Sequence, residues 1–102
     1  MNKVIEENRH RIISILKIHQ VKKFEVFGSV TNDTFHNESD IDILVSFLPI
    51  PLEEFANNFF SLEENLYKIL NHQIDMLIFE DIDNSFFLKA IQNQRVTIYE
   101  NR

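Results

Sequence analysis

Three aspartates and one glycine–serine pair are the residues of this chain whose types and spacing could do chemistry. Asp40 and Asp42 stand two apart in the stretch Asp40–Phe47, which is otherwise β-branched and apolar except for Ser46. On a strand, side chains at i and i+2 share one face, roughly 6.5–7 Å apart along the chain. Their carboxylates can then converge on a cation held between them. Hard divalent ions such as Mg²⁺ take oxygen ligands of this kind, and two like charges side by side are unfavourable unless a counter-charge compensates. The plain structural alternative puts Asp40 in the Glu38-Ser39-Asp40 turn and Asp42 on a solvated face. An isolated Asp-x-Asp does not separate the two.

Gly28 is the sole glycine of the chain, and Ser29 follows it at once. In a composition so poor in glycine, a position that keeps one calls for positive φ or for close approach of a ligand. A strand turning at Gly-Ser also offers backbone N–H groups and a hydroxyl to an anionic phosphate. Its alternative is an ordinary turn followed by a helix-capping serine. Further on, Asp75 is the one charge in Gln73–Phe79. Neighbouring strands lie ~4.8 Å apart, so an aspartate there could complete a three-carboxylate cluster with Asp40 and Asp42. A half-buried carboxylate without a partner is costly, which favours a functional role over a chance one. An edge position facing water is the competing account of Asp75.

The elements that must position these residues follow from the apolar pattern. Asn2 to Gln20 puts Ile5, Ile12, Ile13 and Leu16 on one broad helical face, with no Gly or Pro to break it. Lys22–Phe27 reads as a strand, and Val30–Ser39 as a polar loop that could open with one helical turn. Asp40–Phe47 is a second strand, stopped by Pro49 and Pro51. From Leu52 to Leu70 the residues Phe55, Phe59, Leu62, Leu66, Ile69 and Leu70 fall at helical spacing, with Glu53 and Glu54 in the favourable first turn. Gln73–Phe79 is a third strand, Asp83 or Asn84 caps a short helix through Ile91, and Val96–Tyr99 is a last strand. The order α-β-loop-β-α-β-α-β predicts an α/β fold: one small mixed sheet with packed helices, a single domain over residues 1–102.

Composition bounds the rest. The chain has 102 residues, 44% of them hydrophobic and ten of them Phe, enough to bury a core without staples. It has no cysteine, which excludes disulfides and thiolate metal sites. A net charge of −6 argues against binding to a nucleic-acid backbone. The longest apolar run, Ile43–Ile50, is too short for a bilayer, so a soluble cytoplasmic protein is expected. His10, His19, His36 and His72 show no ligand spacing, and only His36, in the loop before Asp40, is expected near the active face. Glu80, Asp81 and Asp83 read as turn and helix cap rather than as metal ligands. Of the adjacent aromatics Phe59-Phe60 and Phe86-Phe87, some surplus must be exposed.

Gly28-Ser29, ten intervening residues, Asp40-x-Asp42 in a strand and Asp75 in a later strand together resemble the minimal nucleotidyltransferase (MNT) domain. That domain belongs to the polymerase-beta-type nucleotidyltransferase superfamily, and the resemblance runs from Phe24 to about Tyr99. It implies that Gly28 and Ser29 hold the β- and γ-phosphates of ATP, and that Asp40 and Asp42 ligate Mg²⁺. Asp75 would complete a second metal position and help activate an acceptor hydroxyl. One departure stands out. Many relatives follow Gly-Ser with a small residue, Arg and Gly, whereas Val30-Thr31-Asn32-Asp33 follows here, with Asn32 in the place of the Arg. A cation that would help neutralise the triphosphate is missing there, and Lys22, Lys23 and Arg95 are the candidates to compensate.

Stand-alone MNT proteins of this size resemble the antitoxin half of HEPN–MNT toxin–antitoxin pairs. The resemblance then implies transfer of AMP from ATP to a tyrosine of a HEPN ribonuclease toxin, and an acidic surface suits a partner that is basic in places. Two rival readings stand beside it. One is a non-catalytic antitoxin that neutralises its partner by masking and keeps the aspartates as relics. The other is a nucleotidyltransferase acting on a small molecule, which the lack of a further acceptor-presenting helical region weakens.

Overall fold

The computed structural model of the chain describes residues 2–101. The expected alternation is present, with one difference at the start. Helix α1 (Lys3–Glu7) and helix α2 (Arg9–Ile18) replace the continuous first helix. Asn8 is the reason: its side-chain Nδ2 donates to the Val4 carbonyl at 2.8 Å, and its backbone leaves the helical region at ψ 9°. An Asn side chain that offers the backbone a local partner competes with the helix ladder in this way. Asn2 caps α1 by accepting from the Val4 N–H at 2.7 Å.

Strand β1 (Val21–Phe27) leads through a 3₁₀ turn (Gly28–Thr31) and a loop into β2 (Ile41–Phe47). Helix α3 (Leu52–Leu70) then crosses to β3 (Ile74–Ile78), and α4 (Ser85–Ala90) precedes β4 (Val96–Glu100). Pro51 starts α3, and Asn71 ends it in the left-handed conformation at φ 57°. Asn84, rather than Asp83, caps α4, accepting from the Phe86 and Phe87 N–H groups.

The four strands lie in the order β3-β2-β1-β4. β1 runs antiparallel to both β2 and β4, whereas β2 and β3 are parallel. A parallel pair needs a crossover, and α3 supplies it. The sheet has two unequal faces. Phe24, Val26, Ile41, Ile43, Val45, Met76 and Ile98 point to one side, where they pack on Ile5, Ile12, Leu16, Leu62, Leu66 and Leu70 from the helices. Phe27 and Leu44 point the other way into a small cluster with Ile91, Phe87, Leu88, Phe79 and Ile82. The adjacent aromatics divide as expected: Phe59 packs on the core while Phe60 is 61% exposed, and Phe87 is covered while Phe86 is 84% exposed. Among the described residues no helix is long and apolar enough to cross a membrane.

Candidate active site

β2 alternates, so Ile41 and Ile43 enter the main core and Asp42 projects onto the thinly covered face. β3 does the same, with Asp75 between Ile74 and Met76. The register sets Phe27 of β1 opposite Asp42 and Asp42 opposite Asp75, forming one row across three strands. Asp42 and Asp75 are register partners, and their carboxyls lie close enough to act on each other's charge. The Asp42 carboxyl is pushed above its ordinary range, first by burial, then by the charges of Asp75 and Asp40.

Gly28 ends the row. Its φ is +75°, and a Cβ placed on it would stand 2.5 Å from Oδ2 of Asp42. The positive φ that singles out a glycine is present, and the protein's own carboxylate leaves no room for a side chain there. The 3₁₀ turn is tied by Thr31 Oγ1 donating to the Gly28 carbonyl at 2.7 Å and by the Asn32 N–H donating to the Ser29 carbonyl at 3.0 Å.

Asp40 lies one residue before β2 rather than inside it, and its side chain is exposed. Its flanking peptides are nonetheless fixed. The Ile41 N–H donates to the Gln73 carbonyl at 2.9 Å, and His72 Nδ1 lies 2.8 Å from the Ser39 carbonyl. The structure therefore brings all three aspartates to one end of the β2–β3 pair, Asp42 and Asp75 as register partners and Asp40 near enough to add its charge. Among the described residues no group of three His, Cys, Asp or Glu side chains is closed around a metal position. The donor set still fits a hard divalent ion, because Mg²⁺ is usually held by one or two carboxylates together with substrate phosphates and water. Neighbouring carboxylates that raise the proton affinity of Asp42 make a site that such an ion would relieve.

None of the three candidate cations reaches the place of the missing arginine. Arg95 Nη2 is bound to Glu25 Oε1 at 2.7 Å and its guanidinium lies over the Phe79 ring. Lys23 pairs in register with Ser46 and Glu100, at the end of β1 remote from Gly28. Lys22 lines a cleft of about 480 Å³ with Phe47, Leu48 and Glu80, at the opposite end of β2 from Asp42. Asn32 has a task of its own: its Oδ1 accepts from the Thr34 N–H at 2.9 Å and from Thr34 Oγ1 at 2.6 Å. It builds the loop that follows the turn. Glu80 accepts from the buried Ser46 hydroxyl at 2.8 Å, away from the aspartates, in keeping with a structural role. His36 is an exposed turn residue whose Nδ1 accepts from the Glu38 N–H at 3.2 Å, and His72, which no spacing singled out, meets the same segment at the Ser39 carbonyl.

The four-stranded mixed sheet with its packed helices is a nucleotidyltransferase fold. The sequence pattern of the family described as "Polymerase beta, Nucleotidyltransferase" matches residues 10–102, and the chain belongs to that family of enzymes. A relative from Methanocaldococcus jannaschii bearing the name "Putative protein adenylyltransferase" is 32% identical over 80 residues, 78% of this chain and 79% of that protein. A second protein of the same name and organism is 37% identical over 59 residues, 58% of this chain and 65% of its own length. Among solved structures, a "putative minimal nucleotidyltransferase" superposes with a TM-score of 0.74 at 20% identity, covering 94% of this chain and 95% of that one. A toxin–antitoxin with AMP-PNP has a TM-score of 0.70 at 20% identity, covering 93% of this chain and 75% of that one. These two likenesses are of fold.

Proposed function

We propose that residues 1–102 act as a minimal nucleotidyltransferase that moves AMP from ATP onto a hydroxyl of a partner protein, in the role of an antitoxin. The observation that carries this reading is the Asp42–Asp75 pair: two carboxyl groups in register on adjacent parallel strands beside Gly28, with Asp40 adding its charge. Carboxylates placed so close are poorly stable alone and well suited to a divalent cation. Asp40 and Asp42 are the residues we assign to Mg²⁺, with Asp75 sharing a second position. Two such ions, when bound, stabilise the attacking and leaving oxygens of an in-line displacement.

Each of the remaining roles falls to the chain itself. The positive-φ turn at Gly28 and Ser29 would present backbone N–H groups to the β- and γ-phosphates. Asp75, the more exposed member of the pair, would receive the acceptor's hydroxyl proton. The acceptor oxygen then bonds to the α-phosphorus of ATP, the bond from that phosphorus to the bridging oxygen breaks, and pyrophosphate leaves. A protein acceptor is favoured by relatives that bear the name protein adenylyltransferase. An antitoxin role is favoured by structural neighbours that are toxin–antitoxin complexes. The MNT resemblance narrows the acceptor to a tyrosine of a HEPN ribonuclease toxin in the cytoplasm, and a net charge of −6 suits a partner with basic surface.

The test is direct. The protein is incubated with its cognate partner and Mg-ATP, and the intact mass of the partner is read. One or more added AMP units are expected, with pyrophosphate released in step. A partner of unchanged mass that is nevertheless silenced would establish the masking reading, which the uncharged Asn32 favours.

A further inference from the structure

We infer that His72 is a positioning residue for the metal-binding carboxylate of Asp40. The inference rests on the reading of Asp40 given above. Asp40 is the one member of the triad outside a strand, so no sheet ladder holds its backbone. Two bonds from the segment leading into β3 bracket it. The Gln73 carbonyl accepts from the Ile41 N–H just after Asp40, and His72 meets the Ser39 carbonyl just before it. A carbonyl can only accept, so His72 Nδ1 carries the proton and donates, which fixes the tautomer.

The same ring anchors the loop from the other side. Phe35 packs on His72 with ring centroids 4.7 Å apart. Between Phe35 and Asp40 the chain closes a tight turn, with the His36 N–H donating to Ser39 Oγ at 3.0 Å and the Ser39 N–H to the His36 carbonyl at 3.0 Å. His72 therefore ties the end of the loop to the strand that bears Asp75. The distance between the Asp40 carboxylate and the Asp42–Asp75 pair depends on that tie. Groups that orient a ligand in this way change metal affinity by about 10–100-fold when removed.

The experiment compares wild type, His72→Ala, His72→Asn, Asp40→Asn and the double variant Asp40→Asn/His72→Ala. An asparagine amide can replace the Nδ1–H donor; alanine cannot. The probe is Mn²⁺ alone, its affinity read from the electron paramagnetic resonance signal of the free ion, with thermal melting of the metal-free proteins as a folding control. His72→Ala is expected to weaken Mn²⁺ binding about 10–100-fold, His72→Asn to restore it, and His72→Ala to add nothing once Asp40 is Asn. Wild-type affinity in His72→Ala, equal loss in the Ala and Asn variants, or an undiminished effect in the Asp40→Asn background would each overturn the inference alone. A folded wild type that takes up no Mn²⁺ overturns the metal reading, and the inference with it.

Discussion

The Asp42 carboxylate occupies the space that a side chain on Gly28 would need: a Cβ there would stand 2.5 Å from Oδ2. Gly28 and Asp42 are therefore one structural unit, a positive-φ turn shaped around an acid on the neighbouring strand. Gly28→Ala should cost about 1–3 kcal/mol, combining left-handed strain with displacement of the carboxylate. Urea unfolding would measure it. The strain remains if Asp42 is also changed to Ala, but the collision does not, so the Gly28→Ala penalty should shrink in that background. An equal penalty in both backgrounds would show that the collision contributes nothing.

Asp42 also predicts a pH dependence. Its folded-state affinity for a proton is raised, chiefly by burial and by Asp75 and Asp40. A carboxyl of this kind stabilises the fold below its unfolded value, about pH 4, and loses that contribution as pH rises through the folded value. At neutral pH the ionised wild type thus carries a repulsion that Asp42→Asn lacks. The metal-free variant should melt higher than wild type at neutral pH, by less than the roughly 4 °C that 1 kcal/mol is worth, since the site is partly screened by water. The advantage should fade near pH 4. Paired melting curves at the two pH values decide it, and an advantage that does not change with pH would refute the repulsion.

Much of this was legible in the sequence, for a definite reason. The short apolar, β-branched runs of β1, β2 and β3 and the helical spacing of α3 are local patterns, so the element order followed from them. The break at Asn8 was not legible, because Asn is tolerated in helices and only its bond to Val4 shows that it competes with the ladder. Gly28 was singled out by its rarity, and its positive φ was among the reasons expected, but the nearness of Asp42 on another strand was not legible. His72–Ser39 and Arg95–Glu25 are pairs 33 and 70 residues apart in sequence. Such pairings exist only once the chain has folded, and no spacing rule announces them.

The Glu25–Arg95 pair lies on the same face as the aspartates, and its energetics can be tested separately. Glu25 is 8% exposed in its side chain and Arg95 23%, and Thr97 Oγ1 also reaches Glu25 at 3.4 Å. Removing the cation alone strands a buried carboxylate, so Arg95→Met should lose about 2–4 kcal/mol on urea unfolding. Arg95 Nε is buried without a hydrogen-bond partner, which lowers the net worth of the pair. The double variant Glu25→Gln/Arg95→Met should therefore recover most of the loss. If it is no more stable than Arg95→Met, the pair is not an isolated charge balance and Arg95 acts through its packing on Phe79.

The last prediction separates enzyme from masking protein. If Asp40, Asp42 and Asp75 serve phosphoryl transfer, changing one to Asn removes a charge needed chiefly in the transition state. Asn is nearly isosteric, so the fold and the surface that meets the partner should persist. For Asp42→Asn the fit against Gly28 is preserved, because the amide takes the space of the carboxylate. Such a variant should co-purify with its partner as the wild type does while transfer falls by orders of magnitude. Cells carrying the partner should lose protection, and the partner should gain no nucleotide mass. Gly28→Ala provides the counterpart, since it displaces the carboxylate without removing its charge; it should lower transfer less than Asp42→Asn while destabilising the fold more. Full protection by Asp42→Asn, with the partner's mass unchanged, would leave the aspartates without a catalytic task and masking as the mode of action.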